Sequence, residues 1–159
     1  MAHITIEYMI LIPVLIMQIF LFPFAATAIM NTWVDQRRSL ELQEIAGHLG
    51  SSVQQLYFTS NRASNANGCL ISTLDTPATI ENFYYYNITL QDNSNPSSSV
   101  KVMKITLNLI RATGEASSLV TLGENAAWQD GVTFRSDVTS IVATESSGSI
   151  WLSFEGGAT

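Results

Sequence analysis

Cysteine, histidine and basic side chains are scarce in this chain of 159 residues. There is one cysteine, Cys69, and there are two histidines, His3 and His48. A single cysteine excludes an intramolecular disulfide, so we expect the Cys69 thiol to be a small, buried side chain. Lysine and arginine number 7 against 13 acidic residues, which gives a net charge of −6. Because binding to phosphate backbones needs clustered lysine and arginine, this balance argues against a nucleic acid as partner.

Motifs for catalysis and metal binding are also lacking. The sequence has no glycine-rich phosphate loop, no paired metal ligands and no nucleophile elbow. The stretch "QDNSN", residues 91–95, offers oxygen ligands but lacks the spacing and the closing glutamate of a calcium loop. Four acids of the C-terminal half are scattered without an acid and base pairing: Glu115, Glu124, Asp130 and Asp137. We therefore expect no enzymatic activity, no cofactor and no metal site.

The shortage of charge is greatest near the N-terminus, where no charged residue occurs between Glu7 and Asp35. As a helix, the run from Tyr8 to Val34 would be about 40 Å long at about 1.5 Å per residue, which exceeds the roughly 30 Å of a bilayer core. The run is therefore able to cross a membrane. It is longer than the apolar core of a cleaved secretory signal and begins beside an acid, which argues against such a signal. An ordinary membrane anchor stays open as an alternative.

A second helical pattern follows the apolar run. Five apolar residues recur at spacings of three and four, namely Leu42, Ile45, Leu49, Val53 and Leu56. This spacing predicts one apolar stripe, which we expect to pack against the head of the same subunit. No proline interrupts 31–58, so one continuous helix is predicted to end at Phe58, before the turn formers of 59–68. The predicted domains are a helical region, 1–58, and a head, 59–159.

Beyond this boundary apolar residues alternate with polar ones, which is typical of strands. Runs rich in β-branched or aromatic residues predict strands at 68–74, 79–91, 99–111, 118–122, 136–144 and 149–154. Between the last two runs, Gly148 is expected to supply the positive φ of a tight hairpin turn. Residues 122–131 are compatible with a loop or with a single helical turn. The predicted fold class is α+β, with a long N-terminal helix and a β-rich head of the β-sandwich, immunoglobulin-like type or a partly open barrel.

Residues 84–89 carry two surface features of the predicted head. Tyr84, Tyr85 and Tyr86 would alternate between the faces of a strand, with at least one in the core and one side exposed at a subunit contact. The sequon "NIT", beginning at Asn87, permits N-glycosylation in an exported protein.

Two prolines interrupt the apolar run. Pro13 and Pro23 each remove one helix hydrogen bond and would kink an isolated helix. A bundle of helices tolerates such prolines, or one of them marks a bend. The Thr27 hydroxyl is able to bond either a neighbouring helix or its own preceding turn.

The N-terminus resembles that of type IV pilin-like proteins, especially archaeal pilins and archaellins with class III signal peptides. The residues that carry the resemblance are Ala2, His3, Thr5, Glu7 and Tyr8, followed by the long helix. Processing after Ala2 would make Glu7 the acid at the fifth mature position. The basic residue expected before that point is absent, so removal of a longer leader before Met1 is the other reading. TadE-like pseudopilins also have an acid followed by an apolar run with a proline.

The resemblance implies a structural pilin subunit that polymerises through its N-terminal helix into an extracellular filament for surface attachment. Before assembly the subunit would reside in the cytoplasmic membrane. The implied partners are further copies of the chain, a prepilin peptidase, an assembly ATPase and a membrane platform protein. Glu7, with Thr5 and Tyr8, would set subunit register by pairing with the N-terminal amine of a neighbour. The residues expected to pack in the helical core of the filament are Ile12, Pro13, Ile16, Phe20, Pro23 and Phe24. A membrane-anchored monomer that binds surfaces, and a minor pilin or TadE-like pseudopilin, are the alternatives.

Overall fold

The computed structural model describes residues 2–63 and 68–156, with side chains described for 9–62 and 68–156. One helix, α1, spans Ala2–Ala63. Eight strands follow: β1 Cys69–Thr73, β2 Tyr86–Asp92, β3 Lys101–Leu109, β4 Glu115–Leu122, β5 Ala126–Trp128, β6 Thr133–Arg135, β7 Val138–Ser146 and β8 Ser149–Gly156. The predicted α+β class, with a long N-terminal helix and a β-rich head, is confirmed.

The helix α1 continues through both of its prolines and beyond its predicted end. Pro13 and Pro23 lie inside the helix. The helix ends at Ala63 rather than at Phe58, so the turn formers that begin at residue 59 are helical at first. Ser60 in this extension is buried. Tertiary packing outweighs the weak helix propensity of these residues.

The chain forms two compact units, Met1–Arg37 and Arg38–Thr159. The first unit contains the apolar part of α1. The second contains the amphipathic part of α1 together with all eight strands.

The strands of the second unit form two four-stranded sheets. Sheet A has the order β1-β7-β8-β5, and sheet B has the order β4-β3-β2-β6. All neighbouring strands are antiparallel except β5 and β8, which are parallel. One face of β3 is apolar and lies in the core, because Met103, Ile105 and Leu107 are completely buried.

The predicted hairpin turn joins β7 to β8. Ser146 pairs with Ser149 across the turn, and Ser147 and Gly148 have φ values of 55° and 81°. Two consecutive positive φ values are typical of a type I′ turn, which matches the twist of the flanking strands. The prediction for Gly148 is therefore confirmed.

One hydrophobic core joins the two sheets and the amphipathic part of α1. The rings of Phe134 in sheet B and Phe154 in sheet A have centroids 5.4 Å apart, so the sheets face each other. All five residues of the predicted helical stripe are buried: Leu42, Ile45, Leu49, Val53 and Leu56. Burial of each such side chain stabilises the fold by about 1.5 to 3 kcal/mol. The prediction that the stripe packs against its own head is confirmed.

The helix lies close to the edge strand β4 at Gly50. A Cβ atom at this position would lie 2.9 Å from Ser118 Oγ and 3.1 Å from Val120 Cγ2. Gln43 Nε2 also donates a hydrogen bond of 3.2 Å to the carbonyl oxygen of Ser117 in β4. The helix thus covers part of a strand edge that would otherwise present unpaired carbonyl groups.

The predicted strand 79–91 forms only in its second half. Ile80 and Tyr84 are joined by an isolated bridge around a turn in which Glu81 and Asn82 have φ values of 53° and 58°. The strand β2 begins only at Tyr86. An apolar alternation does not reveal positive φ at residues other than glycine, so this turn is not evident from the sequence.

Residues 122–131 are neither a simple loop nor a helical turn. Three of them form β5, which pairs with β8 near the C-terminus. Such a short strand depends on a partner that is distant in sequence, and local patterns carry no sign of it.

The expected burial of Cys69 is wrong, because its side chain is exposed. Cys69 is the first residue of β1, which lies at the edge of sheet A. Side chains alternate between the two faces of a strand, and Cys69 shares the outer face with Ile71 and Thr73.

Candidate assembly segment and head surface

The apolar segment, defined here as residues 9–34 of α1, is exposed along its whole length. It includes nine large apolar side chains with more than 60% of their surface exposed: Met9, Ile10, Met17, Ile19, Phe20, Phe22, Phe24, Met30 and Trp33. By length and composition α1 is able to cross a membrane. A helix that is apolar on all sides is unstable in water and needs lipid or other helices around it.

The residues predicted to pack in a filament core are distributed around this segment. Ile12 and Ile16 are about half exposed, at 53% and 51%, and Phe20 and Phe24 are exposed at 74% and 79%. Pro13 and Pro23 lie on the same helix and are exposed. None of these six side chains is buried within the subunit.

The residues predicted to set subunit register lie at the start of α1. The backbone of Thr5, Glu7 and Tyr8 is helical. Their side chains lie outside the described residues, so the role assigned to them stays a prediction.

The hydroxyl groups of two threonines near the C-terminal end of the apolar segment form hydrogen bonds within the helix. Thr27 Oγ1 donates to the carbonyl oxygen of Pro23 at 2.8 Å, and Thr32 Oγ1 donates to that of Ala28 at 2.9 Å. Of the two partners considered for Thr27, the structure shows its own preceding turn. A satisfied hydroxyl group is much less costly in lipid or in a dry helical bundle than an unsatisfied one.

The sequon asparagine, Asn87, lies in the middle of sheet B. It is half-buried, and its strand pairs with β3 on one side and with β6 on the other. The sequon residue Thr89 is within hydrogen-bond distance of Thr133, with 3.1 Å between their hydroxyl oxygens. Glycosylation of Asn87 stays a prediction.

The polar groups of residues 91–95 form hydrogen bonds with one another and with Asp130. Asp92 Oδ1 accepts a hydrogen bond of 2.9 Å from the Ser94 N–H, and hydrogen bonds with Ser94 lower the pKa of the Asp92 carboxyl group below its ordinary value. Asp130 Oδ1 accepts a bond from the Asp92 N–H at 2.7 Å. The described residues contain no group of three or more histidine, cysteine or acidic side chains that could hold a metal ion.

Arg38 connects α1 to the turn that precedes β2. Its Nη2 and Nε atoms donate to Glu81 Oε2 at 3.0 Å and 3.1 Å. The same guanidinium group lies 4.6 Å from the ring centroid of Tyr84, which is a cation–π contact. The turn is thereby fixed to the helix from two sides.

The surface beside this turn is named here the cationic aromatic edge, and its residues are Phe83, Tyr85, Arg111 and Arg135. Phe83 is exposed at 77% and Tyr85 at 40%. The Arg135 guanidinium lies 4.2 Å from the centroid of the Tyr85 ring. All four residues line one open cavity of about 620 Å³. The predicted exposure of one side of the tyrosine run is found at Tyr85, and Tyr86 is the buried member.

A second cavity, of about 440 Å³, is named here the acidic groove. It lies between α1 residues 41–48 and the segment 75–82. Its ionisable residues are Glu41, Glu44, His48, Asp75 and Glu81. Thr79 and Asn82 line both cavities, so the acidic groove and the cationic aromatic edge are adjacent on one side of the head.

Sequence reasoning did not identify the cationic aromatic edge as a site. Arg111 and Arg135 belong to different parts of the chain, and only the folding of sheet B brings them to the same cavity as Phe83. The sequence does show that basic residues are rare in the head, since residues 68–156 contain only Lys101, Lys104, Arg111 and Arg135. Two of these four lie at the cationic aromatic edge.

No protein-family model, curated protein or solved structure matches this chain.

Proposed function

We propose that this chain is a structural pilin subunit that polymerises through its N-terminal helix into an extracellular, type IV pilus-like filament. The observation that carries the proposal is the apolar segment, all of whose residues from Met9 to Val34 are exposed within the subunit. So large an apolar surface requires a partner outside the subunit.

The proposed partner before assembly is the lipid of the cytoplasmic membrane, and afterwards it is the same segment of other subunits. Each square ångström of apolar surface removed from water contributes about 25 cal/mol. Many helices packed side by side would therefore hold a filament together without covalent bonds. The single cysteine of the chain is consistent with this type of assembly, because it allows no disulfide framework.

The second compact unit supports a division of roles. Its core already buries the amphipathic stripe of α1 from Leu42 to Leu56. The head thus forms its core from residues of the same subunit, and the apolar segment stays available for contacts between subunits. We assign surface attachment to the assembled filament, with the head at its outside.

Glu7 is the residue proposed to set the axial register of the subunits. An unpaired carboxylate in a dry helical core is costly, so it must be neutral or paired with a cation. The resemblance to type IV pilins provides the cation, which is the N-terminal amine of an adjacent subunit. A prepilin peptidase, an assembly ATPase and a membrane platform protein are the further partners that the same resemblance implies.

A membrane-anchored monomer is the main alternative, because one helix that is able to cross a membrane is equally consistent with an anchor. A minor pilin or TadE-like pseudopilin would share the assembly machinery without forming the bulk of the filament.

Electron microscopy of filaments sheared from the native cells, with mass spectrometry of their main protein band, separates these functions. A pilin predicts long filaments in which this chain is the main protein. A minor subunit predicts filaments with a different main protein and traces of this chain. A monomeric anchor predicts recovery from detergent-solubilised membranes alone, which would contradict the proposal.

A further inference from the structure

We propose that the cationic aromatic edge of one head docks into the acidic groove of a second copy, and that this contact repeats along the filament. This inference rests on the proposed function and adds a contact between heads to the contacts between helices.

The composition of the cationic aromatic edge is the first argument. Arginine, tyrosine and phenylalanine are enriched at the centres of protein interfaces, where they provide most of the binding energy. Here Phe83 is exposed at 77% although it has a large apolar ring. Two arginines lie at the same cavity in a chain whose net charge is −6. Such a cluster of aromatic and cationic side chains is unexpected on the surface of an acidic protein.

The backbone around the cationic aromatic edge is the second argument. Four residues other than glycine have positive φ in the described part of the chain: Asn82 and Arg111 line the cavity of this edge, Glu81 precedes Asn82 in the adjacent turn, and Ser147 lies elsewhere. Positive φ is unfavourable for residues other than glycine, and strain of this kind is concentrated at functional sites. The ion pair between Arg38 and Glu81 holds the turn in this conformation. The edge is therefore preorganised, which lowers the entropic cost of binding.

Charge complementarity identifies the occupant as a second copy. The acidic groove contains Glu44 and Asp75, both exposed, together with Glu41, while its fourth carboxylate, that of Glu81, is paired with Arg38 of the same chain. Every copy therefore presents one cationic surface and one anionic surface, each with a cavity, of about 620 Å³ and 440 Å³ respectively. A contact between different surfaces of identical subunits is heterologous, and such contacts continue without closing when the rotation does not form a ring.

An anionic polysaccharide is the competing occupant of the cationic aromatic edge. The adjacent acidic groove argues against it, because a long polyanion would be repelled by the carboxylates beside its binding site. A second copy presents both signs of charge and avoids this repulsion.

The test compares single charge reversals in the full chain, produced in the native cell. Arg111→Glu is expected to lower the number of filaments by at least about tenfold, because close charge pairs at interfaces contribute more than about 1.4 kcal/mol. Lys104→Glu is the matched control, since it makes the same change of charge on β3, outside both cavities. The control is expected to form filaments in normal number.

Rescue by opposite charge distinguishes an interface from a folding defect. The double variant Arg111→Glu with Asp75→Arg restores attraction between the two surfaces and is expected to recover most of the lost filaments. The protease resistance of each variant, measured in detergent, reports whether its head is folded. A folded Arg111→Glu variant with a normal number of filaments would overturn the inference.

Cross-linking tests the geometry directly. In a Cys69→Ser background, the pair Arg111→Cys and Asp75→Cys is expected to give a ladder of disulfide-linked dimers, trimers and higher species in sheared filaments. Arg111→Cys alone is expected to give no ladder. Dimers alone, or no cross-linked species, would overturn the repeating contact.

Two further outcomes distinguish failure of this inference from failure of the proposed function. Loss of binding to polygalacturonate in Arg111→Glu, with filaments unchanged, would assign the edge to a polyanion and overturn the inference. Absence of filaments from the unmodified chain would instead refute the proposed function.

Discussion

Arg38 and Glu81 are 43 residues apart in sequence, and Arg38 Nη2 lies 3.0 Å from Glu81 Oε2 in the folded head. Both side chains are partly exposed, at 16% and 27%. Because the same guanidinium group also contacts the ring of Tyr84, it fixes the conformation of the turn that positions Phe83. The pair therefore connects α1 to the turn beside the cationic aromatic edge.

Replacement of Arg38 by lysine is expected to destabilise this turn. A lysine keeps the charge but loses the planar group that bonds Glu81 and contacts Tyr84 at once. We expect the free energy of unfolding of the full chain in detergent to fall by about 1 kcal/mol. Hydrogen exchange of the amides of residues 80–85 should become faster, while that of β8 should not change. If Arg38→Lys left the exchange rates of residues 80–85 unchanged, the role assigned to Arg38 would be contradicted.

Alanine at Gly50 is expected to be less favourable than alanine at Gly47. Both substitutions raise helix propensity by about 1 kcal/mol. At Gly47 the new methyl group meets no atom within 4 Å, whereas at Gly50 it would lie 2.9 Å from Ser118 Oγ. Gly47→Ala should therefore raise the melting temperature, and Gly50→Ala should lower it or leave it unchanged. A higher melting temperature for Gly50→Ala than for Gly47→Ala would contradict the close contact with β4.

The buried phenol of Tyr86 predicts a loss of stability at alkaline pH. Burial raises its pKa above the ordinary value of 10.0, and a hydrogen bond with Thr76 offsets part of the rise. Below pH 10.0 the phenol is neutral in both states, so it contributes no pH dependence there. Above that pH the unfolded chain loses the proton first, so the free energy of unfolding falls until the folded phenol also ionises.

Chemical denaturation of the full chain in detergent at a series of pH values measures this effect. Tyr86→Phe should be less stable near neutral pH, because it loses the hydrogen bond of 2.7 Å that Tyr86 donates to the Pro77 carbonyl. Its stability should fall less steeply above pH 10.0 than that of the unmodified chain. Equal slopes would show that other groups cause the alkaline loss.

The variant Glu7→Gln tests the proposed register of the filament. A neutral amide cannot form an ion pair with the amine of a neighbour, so we expect few or short filaments at normal amounts of subunit in the membrane. Glu124→Gln, at an exposed position of the head, is the control and should assemble normally. Filaments of normal number and length in Glu7→Gln would refute this role.

Regular patterns allowed much of the fold to be predicted from the sequence. The spacing of Leu42 to Leu56 predicted the helical stripe that enters the core, and the alternation in 99–111 predicted β3. Gly148 predicted the hairpin because glycine is a local signal for positive φ. For the stripe and for β3, the periodicity of one segment determines which side chains are buried.

The features that were not predicted depend on contacts between distant segments. The turn at Glu81 and Asn82 is held by the ion pair between Glu81 and Arg38, which are 43 residues apart in sequence. The strand β5 exists through its pairing with β8. The cationic aromatic edge forms only when sheet B brings Arg111 and Arg135 together.

The exposed thiol of Cys69 offers a way to count subunits. Since the chain has one cysteine and its side chain is accessible in the subunit, a maleimide dye would attach at one defined position in each copy. In the proposed filament, the fluorescence of a labelled fibre would then be proportional to the number of subunits in it.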